Sequence, residues 1–118
     1  KNELIFENNL AYASKDSYPV TKLHSLVVPK RCIKNYFELN DKEILACDDL
    51  IKKLQQKITS EDSTVKGFNV GTNSGKVAGQ SIFHCHIHVI PRRVGDVENP
   101  QGGVRSVIPS KQHYIRKK

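Results

Sequence analysis

The run Ser81-Ile82-Phe83-His84-Cys85-His86-Ile87-His88-Val89-Ile90-Pro91 constrains this chain more than any other stretch. Three of the chain's five histidines stand in it, at every second position. A β-strand sends successive side chains to opposite faces, so this spacing predicts His84, His86 and His88 on one face, with Ile82 and Ile90 in the same parity. Phe83, Cys85, Ile87 and Val89 then face a core. Pro91 has no N–H for a ladder and is expected to end the strand. Three imidazoles in a row admit three uses. A solvated histidine-rich face is one, but so dense a use of an uncommon side chain argues against it. A zinc site is another, because imidazole is a common zinc ligand; a strand, however, strings the rings along a line, and the helical i, i+4 pair is absent. The third is nucleophilic catalysis, in which one ring attacks and its neighbours stabilise anionic oxygens.

His84-Cys85-His86-Ile87-His88-Val89-Ile90 resembles the signature of the histidine triad family. Ala78-Gly79-Gln80-Ser81 resembles that family's phosphate loop. His24, in Leu23-His24-Ser25-Leu26-Val27-Val28-Pro29-Lys30, resembles its isolated upstream histidine, and Asp16, eight residues earlier, its ribose-binding acid. The resemblance implies nucleotidyl transfer to water. His86 is then the nucleophile on the α-phosphorus, with its other ring N–H held by the His84 carbonyl. His88 bonds the phosphate or the leaving oxygen, and His84 and His24 support the geometry. Asn73, Gln80 and Ser81 contact phosphate oxygens, and Asp16 the ribose hydroxyls. The resemblance also implies a homodimer. The cysteine pair that often binds zinc near the start of family members has no counterpart here, and no metal site is expected.

Arg92-Arg93-Val94-Gly95-Asp96 and Gly102-Gly103-Val104-Arg105 resemble the dinucleoside polyphosphate hydrolases of that family, including its fragile-histidine-triad and bacterial branches. The implied activity is cleavage at the α-phosphate through a nucleotidyl-histidine intermediate. The alternatives are a purine nucleoside phosphoramidase and a weakly catalytic nucleotide-binding protein. Arg92, Arg93 and Arg105 form either an electropositive collar for distal phosphates, since arginine suits bidentate phosphate contacts, or three solvated surface charges. No cofactor is required, although a divalent cation can accompany a polyphosphate.

A length of 118 residues predicts one domain over 1–118, with 92–118 an irregular segment near the site. Hydrophobic content of 37% and charged content of 26% suit a globular protein, and no apolar run is long enough to span a membrane. The chain opens directly on a strand-like segment, which leaves room for residues upstream. Cys32, Cys47 and Cys85 form no close pair, which points to reduced thiols and a cytoplasmic site. The net charge of +7 is spread along the chain apart from the basic end Tyr114-Ile115-Arg116-Lys117-Lys118, and only 7% of residues are aromatic. That pattern attracts phosphorylated small molecules without predicting a specific nucleic-acid site.

The fold class expected is α+β: about five antiparallel strands with one main helix across a face. Glu3–Glu7 and Leu10–Ser14 read as strands joined by a two-residue turn at Asn8-Asn9, where Asn tolerates positive φ. Leu23–Val28 reads as a third strand and Gly67–Asn73 as a fourth. Between them Asn40–Ile58 reads as the helix, with Asn40 and Glu43 as a capping box. Its apolar stripe is expected to be Ile44, Cys47, Ile51, Leu54 and Ile58. Thr59–Lys66 reads as a polar loop. Gly75 and Gly79 allow backbone N–H groups to approach an anion.

Overall fold

The computed structural model describes residues 3–117. Five strands, β1 (Leu4–Glu7), β2 (Ala11–Lys15), β3 (Ser25–Pro29), β4 (Val65–Gly71) and β5 (Ile87–Arg93), form one sheet in the order β1-β2-β3-β5-β4. Every neighbouring pair is antiparallel. A single helix, α1 (Asp41–Glu61), connects β3 to β4 and packs across one face of the sheet. The architecture is the expected α+β sheet with one main helix.

Helix α1 starts where the capping box predicts. The Asn40 side chain accepts from the Glu43 N–H at 2.9 Å, and the Glu43 carboxylate accepts from the Asn40 N–H at 3.0 Å. Its buried line is Cys47, Leu50, Leu54 and Ile58, so the stripe is rotated from the one expected. Ile44 is 38% exposed and Ile51 sits on the flank. The rotation places Glu43 on the buried line, where Arg31 grips it through two contacts of 2.9 and 2.8 Å. The line meets Ala11, Ala13, Val27, Val65, Ile87 and Val89 from the sheet to make the core. Each large aliphatic side chain buried there contributes about 1.5–3 kcal/mol.

Several boundaries differ from expectation for identifiable reasons. The β1–β2 turn has no positive φ; Asn8 Oδ1 instead accepts from the Leu10 and Ala11 N–H groups. The helix runs on to Glu61 and β4 begins at Val65, so the polar loop is shorter than Thr59–Lys66. Only His88 of the three triad histidines lies within β5. Leu26 pairs His88 and Val27 pairs Ile87, and the β3–β5 pairing ends there; carried on, the register would set Val28 opposite His86 and Pro29 opposite Cys85, and Pro29 has no N–H to give. Its carbonyl accepts from His84 Nε2 instead, and the Cys85 N–H turns to the Ile33 carbonyl. The chain before this point bends, which leaves Ile82 66% and Phe83 52% exposed; Phe83 is not in the core. Pro91 does not end the strand. It is buried opposite Phe68, and its carbonyl accepts from Thr21 Oγ1 at the edge where β3 has already stopped. A missing N–H on that edge costs no ladder bond.

Beyond β5 the chain is irregular, with short 3₁₀ turns at Gly103–Val107 and Pro109–Lys111. Gly102 holds φ +91°, and a Cβ there would fall 2.1 Å from the Gln112 carbonyl oxygen. The segment closes on itself through Gln101 Nε2 to the Tyr114 carbonyl and Gln112 Nε2 to the Gln101 carbonyl. His113 Nε2 donates to the Asn99 carbonyl.

Candidate active site

The site grows from the alternation of β5. Ile87 and Val89 point into the core, so His88 points to the opposite face. His86 precedes the ladder, and its ring centroid lies 5.2 Å from that of His88. His86 Nδ1 is 2.9 Å from the His84 carbonyl oxygen. A carbonyl can only accept, so the hydrogen of neutral His86 sits on Nδ1 and its Nε2 lone pair is free. Thr72 Oγ1 donates to the His86 carbonyl at 2.7 Å and fixes the backbone beneath the ring.

The loop from Asp16 to His24 supplies the second half. Its ends are tied by the Asp16 N–H to the His24 carbonyl, and Thr21 latches it to β5 at Pro91. Leu23 turns the chain with φ +75°, and His24 follows it into the interior at 3% exposure. The Val20 N–H donates to His24 Nδ1 at 3.1 Å. That nitrogen must therefore carry a lone pair, which puts the His24 hydrogen on Nε2. His24 Nε2 lies 2.9 Å from His88 Nδ1, so His88 accepts there and carries its own hydrogen on Nε2. Asp16 Oδ2 lies 3.3 Å from His24 Nε2 and 3.8 Å from His88 Nδ1, while Oδ1 accepts from the Tyr18 N–H. Burial pushes the pKa of His24 down, against the pull of Asp16. Burial also pushes His88 down, helped by the neighbouring His24 and His86 and again opposed by Asp16.

This tautomer-locked group of histidines coincides with a sequence match. The HIT domain description matches residues 1–95. The chain belongs to the HIT family. It is 38% identical to "Protein hit" of Bacillus subtilis over 88 residues, covering 75% of this chain and 60% of that protein. It is 34% identical over 101 residues to a bis(5'-adenosyl)-triphosphatase of Dictyostelium discoideum, covering 84% of this chain and 66% of that one. A hypothetical histidine triad nucleotide-binding protein from Sulfolobus tokodaii has the same fold, with TM-score 0.75 and 33% identity over 80% of this chain and 63% of that chain. The chain spans only 63% and 60% of the lengths of two curated HIT relatives, from Mycoplasma pneumoniae and Bacillus subtilis.

Within this HIT frame the expected residues separate into groups. His86, His88, His24 and Asp16 come together. His84 stands behind them, its ring bonded to Pro29. Asn73 and Ser81 flank the glycine loop; Ser81 is exposed, and the Asn73 amide lies 4.0 Å from where a Cβ of Gly79 would be. Gln80 is different. It is 4% exposed, its Oε1 accepts from the Gly75 N–H, and its Nε2 donates to the Lys34 and Ile82 carbonyls. It shapes the loop from inside and has no side-chain atom to offer a phosphate.

The three arginines do not gather into a collar. Arg92 forks onto Asp96 and reaches Asn69. Arg93, on the other face of the strand, holds Asp62 and the Lys22 carbonyl. Arg105 binds the Lys111 and Gln112 carbonyls with its guanidinium 4.7 Å from the Tyr114 ring centre. The Arg-Arg-x-Gly-Asp piece is thus a folding device that pairs Arg92 with Asp96.

Asp16, His24 and His88 offer three ligand atoms within 4.8 Å of one another, which raises a metal as a reading. The donor chemistry goes against it. A metal on His24 Nε2 needs a lone pair there, yet the Val20 N–H on Nδ1 puts the hydrogen on Nε2. The cluster is a hydrogen-bond relay. Residues that pattern reading overlooked are Thr72, Val20, Thr21 and Pro29. They act through backbone groups or a single hydroxyl, and their role depends on register, which carries no local motif.

Proposed function

We propose that this chain cleaves dinucleoside polyphosphates at the α-phosphate through a nucleotidyl intermediate on His86. The observation that supports this reading best is the His86 ring itself, held at Nδ1 by the His84 carbonyl with Nε2 free to attack. A neutral imidazole so aimed presents its Nε2 lone pair as a nucleophile. Attack by Nε2 on the α-phosphorus breaks the bond to the leaving phosphate oxygen. Water then attacks the same phosphorus and releases the nucleoside monophosphate. Such transfers depend on positioning and charge stabilisation, which Gly75, Gly79 and Ser81 offer on one side and His88 on the other. The Dictyostelium relative, whose name specifies a bis(5'-adenosyl)-triphosphatase, gives the substrate class its support. In this reading Asp16 also meets the ribose, and a divalent cation arrives with the polyphosphate as part of the substrate. The same reading takes a homodimer in the cytoplasm as the working form.

The test is turnover on a panel of diadenosine polyphosphates and adenosine phosphoramidates, with native protein and with His86→Asn. The expected result is release of AMP from the polyphosphates by the native protein, with a covalent adduct trapped on His86 by acid quench. The variant should lose turnover and keep nucleotide binding within a modest factor. Robust turnover by His86→Asn, or cleavage confined to phosphoramidates, overturns the reading.

A further inference from the structure

We propose that Asp16 is a positioning residue for proton delivery: its Oδ2 takes over the hydrogen bonds that the His24–His88 pair must give up when His88 carries the proton for the leaving group. The inference rests on the hydrolase reading above.

The argument is one of counting hydrogens. His24 is locked with its hydrogen on Nε2, because the Val20 N–H occupies Nδ1 at 3.1 Å. That hydrogen points at His88 Nδ1, 2.9 Å away. The arrangement suits a neutral His88. A neutral His88 that gave its Nε2 hydrogen to a leaving oxygen would be left anionic, which is unfavourable at neutral pH. The competent donor is the imidazolium, with hydrogens on both nitrogens. Its Nδ1–H would then face the His24 Nε2–H, donor against donor. His24 cannot yield by moving its hydrogen to Nδ1, since the Val20 N–H is there. Both displaced hydrogens need another acceptor. Asp16 Oδ2 is the atom placed for both, 3.3 Å from His24 Nε2 and 3.8 Å from His88 Nδ1. Its other oxygen is pinned by the Tyr18 N–H at 2.8 Å, and the side chain is 14% exposed, so the carboxylate is held in place.

The step balances. As His86 Nε2 bonds to phosphorus, the leaving oxygen keeps the electron pair of the broken P–O bond. It receives the Nε2 hydrogen of His88, which passes from imidazolium to neutral imidazole and keeps its Nδ1 hydrogen on Asp16. Solvent reloads His88 in the next cycle. The charges that reach His88 are those of Asp16, His24 and His86. Its strand partners, Leu26 on β3 and Gly71 on β4, are neutral. Asp16 supplies the negative charge in this set, and it favours the protonated form.

The experiment compares native protein with Asp16→Asn, which keeps an oxygen for the Tyr18 N–H and removes the charge. One arm needs no turnover. Ring ¹⁵N shifts of His24 and His88 are followed against pH in the free protein. The proposal expects His24 hydrogenated on Nε2 in the native protein, and a His88 titration that moves to lower pH in Asp16→Asn. The second arm measures kcat/KM for an AMP ester of a good leaving group, such as nitrophenol, and for one of a simple alcohol. A lost general-acid contribution is about 10²-fold or more, and it should appear as a fall of that size in the ratio of alcohol-ester to nitrophenyl-ester kcat/KM, because a weakened ribose contact lowers both esters alike and cancels in the ratio. Three results overturn the proposal: a native His24 hydrogenated on Nδ1, an unmoved His88 titration, or equal losses on both esters. A variant effect confined to ribose over deoxyribose ligands also overturns it, since that is the sugar-gripping role alone. If native protein cleaves neither ester, the hydrolase reading has failed, and the titration arm still decides the placement of the charge.

Discussion

Gln80 Oε1 accepts the Gly75 N–H at 2.9 Å, so the side chain at the end of the glycine loop bonds the backbone at its beginning. The loop is closed from within. Gly75 and Gly79, at φ +94° and +99°, bracket the 3₁₀ turn Lys76–Ala78 that this bond encloses.

Gln80→Ala therefore removes three part-buried hydrogen bonds, to the Gly75 N–H and to the Lys34 and Ile82 carbonyls. A typical intramolecular hydrogen bond contributes about 0.5–1.5 kcal/mol. The expected outcome is a clear fall in thermal midpoint, with nucleotide affinity reduced only as far as the loop loosens. An unchanged midpoint and a large affinity loss would mean that the amide contacts phosphate after all.

Acid should weaken the fold in two stages. Burial holds His24 and His88 below the ordinary value of 6.5. Between 6.5 and those lowered values the unfolded chain takes up protons that the native chain refuses. Stability is then complete above about pH 6.5 and declines as pH falls through that window. The second stage comes from carboxylates. Asp62 is held near a pKa of about 2, first by the Thr64 hydroxyl, then by the Thr64 N–H and Arg93, and Arg31 holds Glu43 low. Their stabilisation is present above about pH 4 and lost below it. Urea midpoints at pH 7.5, 5.5 and 3.5 check both stages. A His24→Gln, His88→Gln double variant should be flat across the first stage and retain the second.

The sequence disclosed most of the sheet and the chemistry of its central histidines because both are written in short periods. Alternation places His88 opposite Ile87 and Val89, and the Asn40–Glu43 box marks the start of the helix. What it could not disclose depends on where strands stop relative to one another. The β3–β5 pairing ends at Val27 and Ile87, ahead of His86 and His84, and the register then sets Pro29, without an N–H, opposite Cys85. Ile44 and Leu50 are both apolar and both at helical spacing, and the buried line is the one that packs Leu50 on the sheet and brings Glu43 to Arg31, a long-range match that no local spacing records. Gln80 and the three arginines resembled ligand contacts because their chemistry suits phosphate, but the fold had already committed that chemistry to internal partners.

Thr72→Val tests the backbone support of the nucleophile. The hydroxyl donates to the His86 carbonyl at 2.7 Å, and valine keeps the shape without the donor. Losing one such bond costs about 1 kcal/mol, roughly a fivefold effect, and it should fall on kcat with KM little changed. A loss in KM alone would assign Thr72 to ligand contact.

Neutralising Arg92, Arg93 and Arg105 together should lower stability and should not discriminate among substrates. Each guanidinium already serves Asp96 and Asn69, Asp62, or the Lys111 and Gln112 carbonyls. Calorimetry with the triple glutamine variant should show a lower melting temperature. Its kcat/KM for a diadenosine polyphosphate and for an adenosine phosphoramidate should drop by the same factor. A selective loss on the polyphosphate would restore the collar.

Ile87 and Val89 anchor in the core on either side of His88 in one continuous strand. Fold maintenance and chemical alignment thus share a single short lever. A methyl group trimmed from Val89 would shift the imidazole between them, so neutral drift in this core is narrower than burial alone implies. Substitutions under α1 that leave the protein soluble and folded should still register as kinetic defects, and compensating changes for a damaged triad are best sought among residues that never see the substrate.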